Sequence, residues 1–501
     1  MTARTAGTSP ALRLTWVQPE DLVGHELRQA DEDGRDAAAI QQRWLAAGGA
    51  LAPERAGASP GPAAPELRAL ATTLLDELAL LPSPLAAREP TDLTSIEAAW
   101  PARPRPTAAA STSDAWSLGG AVQLRVRLEA AWLGRAAGCV LGKPVEKLPL
   151  AGIREIARAT GNWPLDSWFT EVGLPAEIAG RWPWNRRSGP TSLAENIDGA
   201  PEDDDLNYPL LGLLLLQRHG HDFHTADVAK LWLDELPAGR TFTAERVTYR
   251  NLLDGLEPPL TASRHNPFRE WIGAQIRADV FGWTHPGDPA GAARQAWRDA
   301  TLSHTGNGVY GAMFVAAVVA EATGGTADVH ACLRAGLDVV PEHSRFARAV
   351  RFGMAAARAE PTGSAAGFAD VVDTLHEAYG RHHWVHVLPN AALLTAALTH
   401  ADGDFTGSIC RAVSGGWDTD SNGATAGSIA GLLAGSACAL PARWTEPLRN
   451  RLATAVGGFD GIGFDALAER TATLAVRPPA VQPPSPGPHQ PRTDGQENSA
   501  P

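Results

Sequence analysis

Apolar positions recur with helical spacing along most of the chain, and many of them are alanine. Alternating runs of β-branched residues are almost absent between residues 119 and 475, and Gly, Pro, Asp and Ser separate the apolar segments. This pattern predicts an all-α globular domain and no fixed-period repeat. The predicted helices are 120–138, 205–219, 225–234, 243–254, 289–301, 307–322, 328–338, 344–359, 366–379, 389–398 and 422–439.

The first 118 residues predict an N-terminal extension of a different character. Helical periodicity is present within 12–48 and at 65–81, whereas 50–64 and 83–118 are rich in Ala, Pro and other small residues. The extension is therefore expected to combine short helices with irregular linkers. At the other end, many Pro residues with Gly, Gln and Ser predict that 476–501 is a disordered tail. The domain itself is predicted over 119–475.

Charge and hydropathy exclude several functional classes. A net charge of −13 argues against binding of nucleic acid through a basic surface. The chain has no run of about 18 strongly apolar residues and no secretion signal at its N-terminus. We therefore expect a soluble cytoplasmic protein with no membrane partner. The four scattered cysteines are expected to be buried free thiols, because none belongs to a Cys-x-x-Cys pair.

Two acidic clusters lie more than two hundred residues apart, each directly before or at the start of a predicted helix. The first is EDDD at 202–205, and the second is DTDS at 418–421. Carboxylates this close repel one another unless protons or cations intervene. On facing helices the clusters would form an all-oxygen site for hard divalent cations, with two ions expected. The alternatives are acidic helix caps, or the Asp-x-Asp of a nucleotide-sugar transferase, which usually follows a strand in an α/β fold.

Two stripes of glycine recur every four residues, and the second directly follows the acidic cluster at 418–421. Glycine costs about 1 kcal/mol per helical site relative to alanine, so the stripes predict close approach of helix backbones. A carboxylate, Glu146, follows the first stripe. The stripes are Gly134, Gly138 and Gly142, and Gly423, Gly427, Gly431 and Gly435.

A third segment, SHTGNGVYGAMF, places glycines around an asparagine before a small-residue helix. Such a loop can present backbone N–H groups to phosphate, although it is also an ordinary way to begin a helix. Its candidate substrate-binding residues are Ser303, Gly306, Asn307 and Gly308. Three histidines, His382, His383 and His386, have spacing that would suit zinc, but without an obvious third ligand we favour ordinary surface or packing roles.

Four motifs in this order resemble those of the ADP-ribosylglycohydrolase family. They are GRAAGCVLGKPVE, the DDD cluster, SHTGNGVYGAMF and GGWDTDSNGATAGSIAGLLAG. The resemblance extends across roughly 119–475 and is most specific in the last motif. It implies an orthogonal all-α bundle with two Mg²⁺ ions, or Mn²⁺ in some members, in a central cleft.

The resemblance also assigns roles to individual residues. The family usually has Thr-Asp-Asp-Thr in its first acidic motif, where this chain has Asp203, Asp204, Asp205 and Leu206, and it often has Gly-Asp where this chain has Gly138 and Cys139. The implied metal ligands are Asp203, Asp204, Asp205, Asp418, Asp420 and Ser421, with Thr419 as a further oxygen. The implied catalytic residues are Glu146, Asp204 and Asp420.

The function expected from this resemblance is hydrolysis of the glycosidic bond of an ADP-ribosylated substrate, with release of ADP-ribose. Two alternatives remain open: hydrolysis of a small ADP-ribosyl or nucleoside metabolite, and binding of ADP-ribose without catalysis. The partner is expected to be an ADP-ribosylated protein or small molecule, and the chain a monomer. Trp283 and Trp417 are weak candidates for stacking on adenine.

Overall fold

The computed structural model describes residues 12–51, 57–101, 104, 106, 117–185 and 188–475. Within these ranges the chain forms 23 α-helices and no β-strand, with only three isolated bridges between extended residues. The prediction of an all-α fold is therefore confirmed. None of the helices in these ranges combines the length and apolarity needed to cross a membrane. The predicted tail at 476–501 lies outside the described residues.

Four helices belong to the predicted N-terminal extension, and they pack on the rest of the protein. Their buried side chains, such as Leu22, Trp44 and Leu74, belong to the same apolar cluster as those of the later helices. Buried ion pairs support this contact, since Arg269 binds Glu26 at 2.8 Å. The four helices are α1 (Pro19–Glu32), α2 (Ala38–Ala46), α3 (Pro65–Ala79) and α4 (Leu93–Ala98).

The remaining helices follow from Leu118 onward. Eight of the eleven predicted helices begin and end within two residues of the predicted positions, and eight further helices were not predicted. They are α5 (Leu118–Gly142), α6 (Leu150–Ala159), α7 (Ala176–Arg181), α8 (Gly189–Ser192), α9 (Asp204–His219), α10 (Thr225–Glu235), α11 (Thr243–Leu253), α12 (Leu260–Ser263), α13 (Asp279–Trp283), α14 (Pro289–Ala300), α15 (Gly306–Thr323), α16 (Val329–Leu337), α17 (Arg345–Ala359), α18 (Phe368–Tyr379), α19 (Val387–Ala401), α20 (Phe405–Ser414), α21 (Thr419–Ala434), α22 (Ala442–Thr445) and α23 (Phe464–Ala472).

Three predicted helices have a boundary that is wrong by three residues or more. Helix α5 ends four residues later than predicted, and α19 ends three residues later. The helix expected over 422–439 begins three residues earlier and ends five residues earlier, as α21. It ends because Gly435 adopts a left-handed conformation with φ of 81°, which glycine tolerates without a side-chain clash. The earlier start places Asp418 at the N-cap and Asp420 inside the first turn.

Helices α5 and α21 pack backbone against backbone, so each glycine stripe meets another helix backbone closely, as predicted, and the structure shows that the two stripes face each other. A Cβ added at Gly138 would collide with the carbonyl oxygen of Gly423, and one added at Gly423 would collide with that of Gly138. Gly134 and Gly427 form the same reciprocal contact one turn away. This close approach brings the end of α5, and Glu146 shortly after it, beside the start of α21.

Candidate metal and substrate site

A cavity of about 830 Å³ opens where the end of α5 and the starts of α9 and α21 meet. This volume is in the range of small-molecule binding sites. Both acidic clusters line it, so the structure brings together residues more than two hundred positions apart. The predicted catalytic and metal-binding residues line the cavity, with the exception of Thr419: Glu146, Asp203, Asp204, Asp205, Asp418, Asp420 and Ser421.

The first acidic cluster is positioned by the N-terminus of α9. Asp203 is the N-cap residue, and its carboxylate accepts a hydrogen bond of 3.0 Å from the backbone N–H of Asp205. Arg135 on α5 donates from Nε to the carbonyl oxygen of Asp205 at 2.8 Å. Its guanidinium also pairs with Asp279 at 2.9 Å, so this arginine is buried and compensated. Asp204 is the least buried of the three aspartates and is half-buried.

Lys143 supplies a positive charge inside the acidic site. Its ammonium lies 2.5 Å from Oδ2 of Asp203 and 2.6 Å from the carbonyl oxygen of Glu202. Both side chains of the ion pair are buried, with 8% and 6% of their area exposed. Burial opposes the charge of Lys143, but the nearby carboxylates raise its pKa above the ordinary value. Sequence analysis did not identify this residue, although it lies three positions before Glu146.

The second acidic cluster is held by contacts with α19 and α5. The backbone N–H of Asp418 donates to the side-chain oxygen of Asn390 at 3.1 Å. Thr419 donates through its hydroxyl to the carbonyl oxygen of Gly142 at 2.8 Å, and this residue does not line the cavity. Ser421 donates to Oδ2 of Asp205 at 3.0 Å, which joins the two clusters directly.

Glu146 lies at the edge of the cavity with its carboxylate oriented by two neighbours. The amide of Asn185 donates to Oε2 at 2.5 Å, and the ammonium of Lys147 lies 2.9 Å from Oε1. The side chain is 16% exposed. Glu146 is therefore both accessible from the cavity and fixed in orientation.

The pKa values of the buried aspartates show how unfavourable their charge is. Burial is the largest cause of each upward shift, and neighbouring carboxylates add to it. The pKa of Asp420 rises to about 7, with Glu146 and Asp203 as the main neighbouring charges. The pKa values of three others rise well above the ordinary value: Asp204, Asp205 and Asp418.

The donor set fits a divalent cation. Carboxylates and a hydroxyl are hard oxygen ligands of the kind that Mg²⁺ and Mn²⁺ prefer, and a cation would offset the repulsion among them. In the part of the chain that the structure describes, one group of three candidate ligand atoms lies within 4.8 Å of one another, and it contains Cys139, Asp203 and Asp205. Sequence analysis had noted Cys139 only as a departure from the family pattern. Burial raises the pKa of its thiol well above the ordinary value, so it is a protonated and weak ligand.

The predicted phosphate-binding loop lies outside this cavity. Asn307 is fully buried, and its side-chain amide donates to Glu89 at 2.9 Å and to Glu270 at 2.8 Å. The backbone N–H of Gly306 donates to the hydroxyl of Thr91 at 3.0 Å. The donors that were expected to bind phosphate therefore contact side chains of the protein. Ser303 and Gly308 are also buried and do not line the cavity.

The aromatic residues suggested for adenine stacking are not in the cavity either. Trp283 is fully buried and packs on Trp132 with ring centroids 4.4 Å apart. Trp417 stacks on His376 at 3.9 Å. The aromatic residues that do line the cavity are Trp16, Tyr208, Phe242 and Trp384. Their local sequence gives no signal of this role, because it depends on segments distant in the chain.

The three histidines have packing contacts; His386 is buried, and His382 and His383 are half-buried. His383 stacks on Trp271 with ring centroids 4.2 Å apart. His386 is fully buried, and its Nε2 lies 3.3 Å from the carboxylate of Glu32 on α1. His382 is adjacent to His386, with centroids 5.0 Å apart. Among the described residues these histidines form no three-ligand metal group.

Comparison with known proteins identifies the family of this chain. No curated protein matches the chain. A solved structure named "ADP-ribosylglycohydrolase-related protein complex" is 20% identical, with a TM-score of 0.46, and the match covers 71% of this chain and 100% of that chain. The family model described as ADP-ribosylglycohydrolase matches residues 121–479, which is well over half of the 501 residues. The chain therefore belongs to the ADP-ribosylglycohydrolase family, which implies that it is a hydrolase of glycosidic bonds.

Proposed function

We propose that this protein is a metal-dependent hydrolase that cleaves the glycosidic bond of an ADP-ribosylated substrate and releases ADP-ribose. The observation that carries the proposal is the convergence of both acidic clusters and Glu146 on one cavity of about 830 Å³. Family membership supports the reaction class. We further propose that the substrate is an ADP-ribosylated protein or small molecule and that the metal is Mg²⁺. We also propose that the protein acts in the cytoplasm as a monomer.

The proposed ligands of the cation are the carboxylates that line the cavity. We expect two Mg²⁺ ions, which Mn²⁺ can replace. A divalent cation in such a site polarises water and binds the vicinal hydroxyls of a ribose. The proposed ligands are Asp203, Asp204, Asp205, Asp418, Asp420 and Ser421. The salt bridge between Lys143 and Asp203 already neutralises one of these carboxylates, so we expect Asp203 to be the weakest ligand.

Glu146 is the proposed proton-transfer residue. Asn185 and Lys147 hold its carboxylate in one orientation at the cavity edge. In the proposed reaction Glu146 accepts a proton from the attacking water as the bond between the ribose anomeric carbon and the acceptor breaks. The water oxygen bonds to the anomeric carbon, and the electron pair of the broken bond leaves with the acceptor atom. The acceptor atom then takes the proton from Glu146. Asp204 and Asp420 contribute by holding the cation and the sugar.

The test is release of free ADP-ribose from arginine-ADP-ribosylated protein, measured with Mg²⁺ and with EDTA. Wild type, Glu146→Gln and Asp420→Asn should be compared with Asp373→Asn, a control on the exposed surface of α18. We expect Mg²⁺-dependent release by wild type and by the control, and loss of release in the other two. Wild-type release that is insensitive to EDTA would contradict the proposed metal dependence.

The two alternatives give different results in the same experiment. A hydrolase of small metabolites would leave the modified protein intact but release ADP-ribose from an ADP-ribosylated small molecule. A binding protein would take up ADP-ribose without turnover of either substrate.

A further inference from the structure

The N-terminal extension contributes a wall of the same cavity that contains the acidic clusters. Four consecutive residues of it line the cavity: Arg13, Leu14, Thr15 and Trp16. The family model begins its match at residue 121, so this wall comes from outside the part of the chain that the family shares. Nothing in the local sequence of this segment predicts a position at the site.

Contacts on both sides hold this segment in place. The guanidinium of Arg13 pairs with Glu20 at 2.7 Å and Asp21 at 3.0 Å, the first-turn carboxylates of α1. It also donates from Nε to the carbonyl oxygen of Ser59 at 3.1 Å. The backbone of Trp16 is in the left-handed region, with φ of 68°, and its N–H donates to the carbonyl oxygen of Gly57. The segment is therefore a fixed wall of the cavity.

The other contacts join the segment to the catalytic domain. The ring of Trp16 meets Phe268 edge-on at 5.3 Å and Trp271 at 6.0 Å, and only 8% of the residue is exposed. The hydroxyl of Thr15 accepts a hydrogen bond from the guanidinium of Arg246 on α11. Removal of the segment would thus remove part of the cavity and expose an aromatic surface.

Three arginines of this wall line the cavity beside the ring of Phe242: Arg13, Arg240 and Arg246. Two of them pair with carboxylates, Arg13 with Glu20 and Asp21, and Arg240 with Glu202 at 2.9 Å, so the wall adjoins the first acidic cluster directly. A substrate that binds a cation through its sugar and carries phosphates elsewhere would meet guanidinium N–H donors here, and such donors form charge-assisted hydrogen bonds with phosphate.

We propose that residues 13–16, with Arg240, Phe242 and Arg246, form the subsite for the nucleoside diphosphate part of the substrate. The extension is then a specificity element of the active site. This inference rests on the proposed function, because it assumes that the acidic clusters bind the ribose through a cation. It assigns the phosphates to arginine side chains of this wall and not to the loop at 303–308.

Two truncations test the proposal: one that lacks residues 1–17 and one that lacks residues 1–11 and keeps the wall. Affinity for ADP-ribose and for Mn²⁺ should be measured by calorimetry. We expect the longer truncation to weaken ADP-ribose binding at least tenfold while Mn²⁺ affinity stays within twofold of wild type. The shorter truncation should match wild type for both ligands. Unchanged ADP-ribose affinity in the longer truncation would overturn the proposal.

Point variants keep the test decisive if the longer truncation fails to fold. Arg13→Ala and Arg246→Ala should each raise the KM for the ADP-ribosylated substrate severalfold and leave kcat within twofold, since they remove binding that is equal in the ground and transition states. Arg43→Ala is the control, because Arg43 forms an exposed pair with Glu77 elsewhere on the extension. Wild-type KM in both variants would overturn the proposal.

Measurements on the wild-type protein distinguish failure of the proposed function from failure of the proposed subsite. If it neither binds nor releases ADP-ribose, the proposed function fails, and the subsite fails with it. If wild type binds ADP-ribose and the truncation and point variants bind it equally well, the subsite alone is wrong and the proposed function stands.

Discussion

The hydroxyl of Ser421 donates a hydrogen bond of 3.0 Å to Oδ2 of Asp205, and so connects two acidic clusters that lie 216 positions apart in the chain. The other carboxylate oxygen of Asp205 faces the guanidinium of Arg135 at 3.4 Å. Asp205 is thus held by α5, α9 and α21 together. The geometry of the acidic site therefore depends on how closely these three helices pack.

Substitution of Gly423 by alanine should destabilise the protein. The added methyl would collide with the carbonyl oxygen of Gly138, so α5 and α21 must separate. We expect the free energy of unfolding to fall by about 1–3 kcal/mol, the usual cost of overpacking. Urea denaturation measures the change. Gly180→Ala on α7 is the control, because no atom lies within 4 Å of its added Cβ. It should be neutral or stabilising by up to about 1 kcal/mol.

Asp420→Asn should have opposite effects with and without metal. Without metal the substitution removes a buried charge among other carboxylates, so the melting temperature should rise by about 2 °C or more. Addition of Mg²⁺ should stabilise wild type, because the ion binds only the folded site, and should stabilise the variant much less. Differential scanning calorimetry with EDTA or Mg²⁺ provides the measurement. Equal stabilisation of both proteins by Mg²⁺ would show that Asp420 is not a ligand of the metal.

Lys143→Met should make the protein depend on metal for stability. The substitution leaves the buried carboxylate of Asp203 without its ion-pair partner, which typically costs about 3–5 kcal/mol. A bound cation can replace the lost charge, so Mg²⁺ should raise the melting temperature of the variant more than that of wild type. Lys230→Met is the matched control, because Lys230 forms an exposed pair with Asp234 on α10. Its melting temperature should be close to that of wild type under both conditions.

Asn307→Ala should reduce stability and leave ligand binding intact. The buried amide of Asn307 bonds to Glu89 and Glu270, and these carboxylates lose a donor in the variant. We expect a loss of about 1–3 kcal/mol in the free energy of unfolding. Calorimetric affinity for ADP-ribose should stay within twofold of wild type. The exposed Asn196→Ala is the control for stability. A large loss of affinity at unchanged stability would instead support the phosphate-binding role predicted for this loop.

His25 should make the protein sensitive to acid. Burial, with a smaller effect of Arg28, lowers the pKa of this histidine from 6.5 to about 3. Below pH 6.5 the unfolded chain therefore takes up a proton that the folded protein does not, and stability falls as the pH falls toward 3. Above pH 6.5 both states are neutral at this position and the effect is absent.

The measurement is urea denaturation of wild type and His25→Leu at pH 7 and pH 4. The loss of stability between these pH values should be smaller in the variant by on the order of 3 kcal/mol. His343→Leu, at an exposed position, is the control and should lose as much stability as wild type. Equal losses in His25→Leu and wild type would show that His25 is not buried in its neutral form.

Much of the site could be predicted because its signals are local. Periodic apolar positions identified α9 and α15 within one residue at each end. The glycine stripes indicated that another backbone approaches each of these helices closely, since helical glycine is costly unless another backbone needs the space; the structure shows that α5 and α21 are each other's partner. The paired carboxylates identified the acidic site, because repulsion within each cluster has to be balanced.

Tertiary structure decided what each motif contacts. The glycine-rich loop before α15 was expected to bind phosphate, yet Glu89 and Glu270 reach it from distant segments and accept its hydrogen bonds. The opposite happened at Trp16, whose sequence context is ordinary but whose segment lines the cavity. Both outcomes depend on the docking of the N-terminal extension.

The sequence by itself therefore determined helices such as α9 and α15, the need for close backbone contact at each glycine stripe and the chemistry of the acidic clusters. These properties follow from backbone sterics and from charge repulsion between neighbours in the chain, which are local. Only the tertiary structure decided the position of Lys143 against Asp203 and of Arg13 in the cavity wall. Such contacts join segments that no local pattern relates, because they are selected by the packing of the whole chain.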